Sequence, residues 1–147
     1  MSGLAILQYV SSRPPYLEEL VKASLTEGHG LVRTTLNDWA VGANRFDQPG
    51  EAFFLALLDD EIVGICELNI DPYSDDMKLG RIRHLYVFPA HRRQRIGLRL
   101  VQACLAVAGD GFERGRLRTS DPVAARFYES IGFEVSDEEY ATHSMML

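Results

Sequence analysis

Six residues, Arg92-Arg93-Gln94-Arg95-Ile96-Gly97, have the clearest chemical capability in the chain. They follow an apolar stretch, Leu85-Tyr86-Val87-Phe88, which ends at Pro89, and they open a largely apolar run from Ile96 to Ala108. Such a pattern predicts a strand, a basic loop and a mostly buried helix. The first turn of a helix carries N–H groups without intrahelical partners, at the positive end of the macrodipole. Gly97 has no Cβ and admits a ligand close to the backbone. Guanidinium forks match phosphate oxygens. The chemistry of Arg92 to Leu98 is therefore the binding of an anion, a phosphate ester above all. A solvated basic turn in front of a buried helix has the same composition and stays open at this point.

A second stretch, Thr119 to Phe133, supplies a different capability. Asp121 followed by Pro122 reads as an N-cap with proline at the first helical position. Ala124, Phe127, Tyr128 and Ile131 then fall on one helical face, and Gly132 ends the helix. A tyrosine hydroxyl titrates near ~10, so Tyr128 is a proton donor at neutral pH.

Taken together, the two stretches resemble the GCN5-related N-acetyltransferase (GNAT) family. The first is similar to that family's Arg/Gln-x-x-Gly-x-Gly/Ala loop after a strand ending in Val-x-Pro, here Val87-Phe88-Pro89. The second is similar to its Asn-x-x-Ala-x-x-Phe/Leu-Tyr-x-x-x-Gly-Phe pattern, here Asp121, Ala124, Phe127, Tyr128, Gly132 and Phe133. The likeness runs from about Phe53 to the end of the chain. It implies an α/β (α+β) fold: a central mixed, mostly antiparallel sheet of about six or seven strands, about four helices, and a splay between the fourth and fifth strands. It also implies one acetyltransferase domain over residues 1–147.

The resemblance implies roles as well. Acetyl-CoA is the co-substrate, no metal is needed, and the acceptor is the primary amine of a small molecule or peptide. The backbone of Leu85, Tyr86 and Val87 would hold the pantetheine arm. Backbone amides across Arg92, Arg93, Gln94, Arg95, Ile96, Gly97 and Leu98 would hold the pyrophosphate. Asp121, Ala124, Phe127 and Tyr128 would flank the cofactor, and Tyr128 would protonate the departing thiolate. The amine attacks directly, without an acyl-enzyme. Arg33, Asp38 and Trp39 are candidates for the acceptor wall, with Trp39 read more readily as core. A homodimer is compatible with this reading. A GNAT-like module that binds acyl-CoA without turnover is the alternative, and a binder of another phosphate ligand a third.

Two positions depart from the family pattern. Arg95 stands where the loop has its first glycine, which costs strain if the position needs positive φ. Asp121 stands for asparagine; it caps a helix and accepts a hydrogen bond but does not donate one. No residue matches the glutamate that many relatives use as base. His84 and Glu67 are the nearby titratable groups, each read first as a buried or cross-strand-paired side chain, so no base is assigned from sequence.

The bounds set by composition agree. A chain of 147 residues is one domain with room for a core. A net charge of −6 argues against a general nucleic-acid binder. Arg81 to Arg99 nevertheless contains six arginines and no acid, a basic strip that suits an anionic cofactor. No run approaches the roughly 20 apolar residues of a membrane span, and the N-terminus lacks a signal-peptide pattern, so a cytoplasmic protein without membrane partners is expected. Cys66 and Cys104 lie in apolar segments and read as free thiols. His29, His84, His91 and His143 lack metal-ligand spacing.

The elements that must position these residues follow in order. Leu4 to Val10 reads as a strand, and Leu17, Leu20, Val21 and Ser24 mark a helix that ends at Gly28-His29-Gly30. Thr35 to Asp38 resembles a capping box ahead of a short second helix. Phe53–Leu58 and Ile62–Ile70 flank Asp59-Asp60-Glu61 as a hairpin apolar on both faces, which predicts a sheet covered on both sides. In the strand Leu79–Phe88, alternation puts Ile82 and Leu85 on opposite faces, and a bulge between them would reconcile the pattern. Gly109-Asp110-Gly111 reads as a turn, Arg116 to Thr119 as a strand, and Phe133–Val135 with Tyr140–Leu147 as a closing hairpin.

Overall fold

The hairpin around Asp59-Asp60 is the spine of the sheet. The computed structural model describes residues 3–147. Strands β2 (Ala52–Leu58) and β3 (Glu61–Ile70) are joined by Asp59 and Asp60, whose φ values are 51° and 69°. Positive φ at both central residues is the two-residue turn whose twist matches a hairpin. Strand β1 (Leu4–Gln8) adds to β2, and β4 (Leu79–Val87) adds to β3. Strands β5 (Arg114–Leu117), β6 (Glu134–Val135) and β7 (His143–Met146) complete seven strands in the order β1-β2-β3-β4-β5-β7-β6. Of the neighbouring pairs, β4 and β5 run parallel, and the others are antiparallel.

Helices cover both faces, as the apolar strands require. On one face lie α1 (Glu18–Thr26) and α2 (Leu31–Val41), packing Leu20, Val32 and Trp39 against Phe53, Leu55 and Ile65. On the other lie α3 (Ile96–Gly111) and α4 (Pro122–Ile131), packing Leu100, Cys104 and Tyr128 against Cys66, Leu68 and Ile82. Trp39 is fully buried, with its ring 5.1 Å from Phe53 and its Nε1–H donating to the Ser11 carbonyl.

Several sequence expectations need correction. Helix α2 begins at Leu31, so Thr35 lies inside it and caps nothing. Burial of Val32, Thr35 and Trp39 along one face carries the helix back past the local capping signal. Helix α3 runs through Gly109 to Gly111, where a turn was expected, because Ala108 and Phe112 are buried on either side and hold the backbone helical. Strand β1 stops at Gln8, and β5 starts earlier, at Arg114, in register with Leu79.

The sheet splits between β4 and β5. Their pairing covers only Leu79 to Arg81 against Arg114 to Arg116. From Ile82 to Val87 the β5-facing edge of β4 has no strand beside it. A buried charge cluster sits at the apex of this split. Asp71, just after β3, accepts hydrogen bonds from Arg81 Nη1 at 3.1 Å and from Arg116 Nε and Nη2 at 2.7 and 3.1 Å. The Tyr73 N–H also donates to Asp71, at 2.8 Å. All three side chains are nearly sealed from solvent, at 0%, 6% and 7% exposure for Asp71, Arg81 and Arg116. Burial raises the Asp71 carboxyl, but the two guanidiniums and the Tyr73 amide outweigh it and hold the group below its usual range.

Candidate active site

The split opens a cleft of about 1030 Å³ between β4, the N-terminus of α3 and the inner face of α4. Leu85, Tyr86 and Val87 form its floor, and Arg92, Arg93, Arg95, Ile96, Gly97 and Leu98 form its basic end. Asp121, Ala124, Phe127 and Tyr128 form the opposite wall. Of the residues assigned to the cofactor from sequence, Gln94 alone lies outside this lining.

The floor depends on a bulge. Tyr86 pairs with Ile65 and Arg83 with Glu67, so His84 and Leu85 together stand opposite Cys66. His84 takes φ 51° to absorb the extra residue. This restores Ile82 and Leu85 to the α3 side and Tyr86 to the α1 side.

The basic end is built on left-handed backbone. Arg93 and Arg95 have φ values of 69° and 63°, and Arg95 is the residue that caps α3. The strained alternative for Arg95 is the one the fold adopts. A left-handed residue directly before the helix turns the loop so that the orphan N–H groups of the first turn face outward. At Gly97 a Cβ would meet nothing nearer than Phe127, at 3.7 Å, so the protein's own packing does not demand glycine there.

The basic strip is less free than its composition implied. Arg81 is spent on Asp71. Arg92 donates from both Nη atoms to Glu27, at 2.8 and 2.6 Å, and from Nε to the Val87 carbonyl at 3.0 Å. Tyr86 donates its hydroxyl to the same carboxylate at 2.6 Å. Arg92 and Tyr86 hold the Glu27 carboxyl down at about 2, while burial and Glu27 push the Tyr86 phenol up. Glu27, at the end of α1, thus ties the α1–α2 connection to the cleft. No sequence signal marked it, because its partners lie about 60 positions away.

Tyr128 is 7% exposed and lines the cleft, with its ring edge-on to Phe127 and Phe133. Burial, with the nearby Cys66 and Cys104 thiols, pushes its hydroxyl well above the ordinary tyrosine value, so it stays protonated. Asp121 caps α4 by accepting from the Val123 N–H at 2.9 Å. Cys66 and Cys104 are free and buried.

On the α2 side of the floor, three side chains meet. His84 Nδ1 lies 3.1 Å from the Glu67 carboxylate and 3.0 Å from Thr35 Oγ1, and the Thr35 hydroxyl donates to Glu67. Glu67 is 1% exposed, whereas the His84 side chain is 21% exposed and faces the cleft. Thr35 was legible only as a helix cap, so this grouping was missed. A smaller cavity of about 310 Å³ shares Arg83 with the cleft and is lined by Asp38, Asn44, Glu51 and Asn69 among others. Asp38 therefore borders the smaller cavity, Trp39 belongs to the core, and Arg33 lines neither space.

Among the described residues, no group of three or more His, Cys, Asp or Glu is placed to hold a metal ion. No described helix is long and apolar enough to cross a membrane.

The fold and cleft have counterparts. Residues 49–135 match the model of the acetyltransferase (GNAT) domain. Over 94 residues the chain is 32% identical to an aminoglycoside N(6')-acetyltransferase type 1 from Klebsiella aerogenes, covering 56% of this chain and 62% of that one. The matched stretch therefore spans less than two thirds of that relative. A crystal structure of a candidate acetyltransferase from Exiguobacterium sp. 255-15 superposes with a TM-score of 0.86 at 26% identity, over 97% of this chain and 93% of that one. The PaiA N-acetyltransferase of Thermoplasma acidophilum, solved with coenzyme A, shares the fold with a TM-score of 0.63 at 19% identity over 99% of both chains. The splayed mixed sheet, the loop-and-helix motif at Arg92 to Leu98 and the domain match place this chain in the GNAT acetyltransferase family.

Proposed function

We propose that this protein transfers an acetyl group from acetyl-CoA to a primary amine of a small molecule or peptide, by direct attack of the amine on the thioester. The observation that carries the reading is the convergence on one cleft of an unpaired strand edge, a phosphate-suited helix start and a buried, protonated tyrosine. The edge of β4 at Leu85 to Val87 offers peptide groups to the pantetheine amides. The N–H groups from Arg92 to Leu98, with Arg93 and Arg95 beside them, receive the pyrophosphate. The acetyl carbonyl is polarised by a β4 N–H, and the protein contributes chiefly orientation and charge stabilisation. The amine nitrogen bonds to the acyl carbon and sheds a proton to water, the C–S bond breaks, and Tyr128 gives its proton to the CoA thiolate and regains one from water.

The test has two stages. A thermal-shift titration with acetyl-CoA, CoA, ATP and NAD identifies the cofactor. A ligand of the native state at 100 times its Kd adds about 2.7 kcal/mol of stability, which is readily detected. Thiol release is then followed with polyamines, aminoglycosides, amino acids and peptides as acceptors. Stabilisation by acetyl-CoA and CoA alone, followed by acceptor-dependent release, is the expected result. Binding without release from any amine would leave an acyl-CoA-binding module.

A further inference from the structure

We propose that His84 is the base that takes the proton from the acceptor amine, and that Glu67 and Thr35 are the positioning residues that set its tautomer. The inference rests on the transfer reading above and assigns a role that the sequence left without an owner.

The hydrogen-bond inventory decides which ring nitrogen is free. An ionised carboxylate only accepts. The Thr35 hydroxyl has one proton, with the Glu67 carboxylate and the Leu31 carbonyl, at 3.2 Å, as its acceptors. His84 Nδ1, at 3.1 Å from the same carboxylate, must therefore carry a hydrogen and donate it. In the neutral ring, Nε2 then holds the lone pair. Nδ1 is occupied by Thr35 and by Glu67, which is 1% exposed, while the His84 side chain as a whole is 21% exposed and lines the cleft, which leaves Nε2 as the ring nitrogen without a partner among the described residues.

The backbone places that ring beside the reacting atoms. His84 is the inserted residue of the β4 bulge, at φ 51°, and it directly precedes the Leu85 to Val87 edge proposed to hold the thioester. A non-glycine residue held in the left-handed region is maintained by its surroundings and clusters at functional sites. Here the surroundings are Glu67 from β3 and Thr35 from α2. Imidazole is the side chain whose ordinary titration falls near neutral pH, which suits proton removal from an alkylammonium. The ammonium gives its first proton to Nε2, which passes it on to water through the open cleft. After attack the nitrogen sheds its second proton to water, while Tyr128, on the opposite wall, protonates the thiolate and regains a proton from water; one proton is released overall, and the two transfers do not compete for one group.

Other charged and titratable groups of the cleft leave this assignment intact. Arg83, the cross-strand partner of Glu67, is a permanent cation. Glu27 is committed to Arg92 and Tyr86, and Arg81 to Asp71. His29 lines the cleft just after α1 and makes no hydrogen bond or ion pair to a carboxylate among the described residues, although it lies near enough to Glu27 to help hold that carboxyl down.

The test uses the full chain, acetyl-CoA and the best amine from the thiol-release panel. kcat/KM is measured from pH 5.5 to 9.5 for wild type, His84→Gln, His84→Ala and Glu67→Gln, with acetyl-CoA thermal shifts alongside. His84→Gln should lose about 100-fold or more at pH 7 while retaining its acetyl-CoA shift. Its deficit should shrink as pH rises, because the free amine then forms in solution. Added imidazole should restore part of the rate to His84→Ala. Glu67→Gln should lose less, since the ring stays while the acceptor that fixes its tautomer weakens. A merely structural role would give neither a deficit that shrinks with pH nor rescue by imidazole. A His84→Gln rate within about twofold of wild type across the range overturns the assignment. If His84→Gln fails to fold, the presence or absence of imidazole rescue in His84→Ala decides in the same way. Wild-type protein that binds acetyl-CoA and acetylates no amine refutes the transfer reading, and the base with it; a working wild type matched by His84→Gln refutes the base alone.

Discussion

Asp71→Asn is the perturbation that tests how the cleft is held open. The substitution keeps the shape of the side chain and removes the buried anion that Arg81 and Arg116 share, both almost fully buried themselves. Breaking a buried pair strands a charge and costs about 3–5 kcal/mol. For a chain of this size each kcal/mol lowers the melting temperature by about 2–4 °C, so the fall should be about 6–20 °C. Glu138→Gln is the internal control. Glu138 also meets Arg114 and Arg116, but at the rim, where its side chain is 33% exposed. Exposed pairs contribute roughly 0–1 kcal/mol, so that variant should lose no more than about 4 °C. The sign with pH is set by the lowered carboxyl of Asp71. Its stabilisation is present above the unfolded value, about 3.9, and is lost as pH falls through the lower folded one. The gap between wild type and Asp71→Asn should therefore be widest near neutral pH and close in strong acid. Thermal unfolding followed by circular dichroism at pH 7, 5 and 3 measures it. A loss at pH 7 no larger than that of Glu138→Gln would refute the view that this cluster bears load at the apex.

Three further outcomes follow from the cleft. Tyr128→Phe keeps the ring contacts with Phe127 and Phe133 and should lower turnover by about 100-fold or more while leaving acetyl-CoA binding unchanged; unchanged turnover removes the hydroxyl from the reaction. Gly97→Ala should leave the melting temperature equal or slightly higher, since its Cβ meets only ordinary contacts and alanine favours helix by up to about 1 kcal/mol, yet should weaken acetyl-CoA binding in calorimetry; equal affinity would show that the backbone at Gly97 does not meet the pyrophosphate. Arg95→Gly removes a left-handed arginine that costs roughly 1–2 kcal/mol and adds unfolded-state freedom worth about 0.5–1 kcal/mol, so thermal denaturation should shift by a few degrees upward at most; a clear destabilisation would mean the arginine side chain anchors the loop.

Much of the fold was legible because its signals are local. Asp59-Asp60 between apolar runs marked the hairpin, Asp121-Pro122 the start of α4, and Gly132 its end. The bulge in β4 was legible for a different reason: one residue too many for strict alternation leaves a visible fault in the pattern. The helix start at Leu31 was not legible, since Thr35 has the chemistry of a cap and the burial that overrides it comes from the sheet. The site divided along the same line. The side proposed for the cofactor lies in two continuous stretches, so pattern reading placed Leu85 to Leu98 and Asp121 to Tyr128 around one space. The grouping proposed for the acceptor side joins Thr35, Glu67 and His84 from three separate elements, and no spacing rule connects them. The arginine count misled for a related reason. Charge along a sequence does not show which cations are already neutralised, and Asp71 and Glu27 claim two of the six.

The split between β4 and β5 amounts to a sheet edge kept inside the molecule. Unpaired strand edges ordinarily recruit other strands and drive aggregation. Here the open edge from Ile82 to Val87 lies in a cleft walled by α4 and roofed by the start of α3. A slender amide-bearing arm that mimics one strand needs less room along that edge than another protein's strand, with side chains on both faces. The walls that cover the edge thus favour ligands of small girth before any side chain reads them.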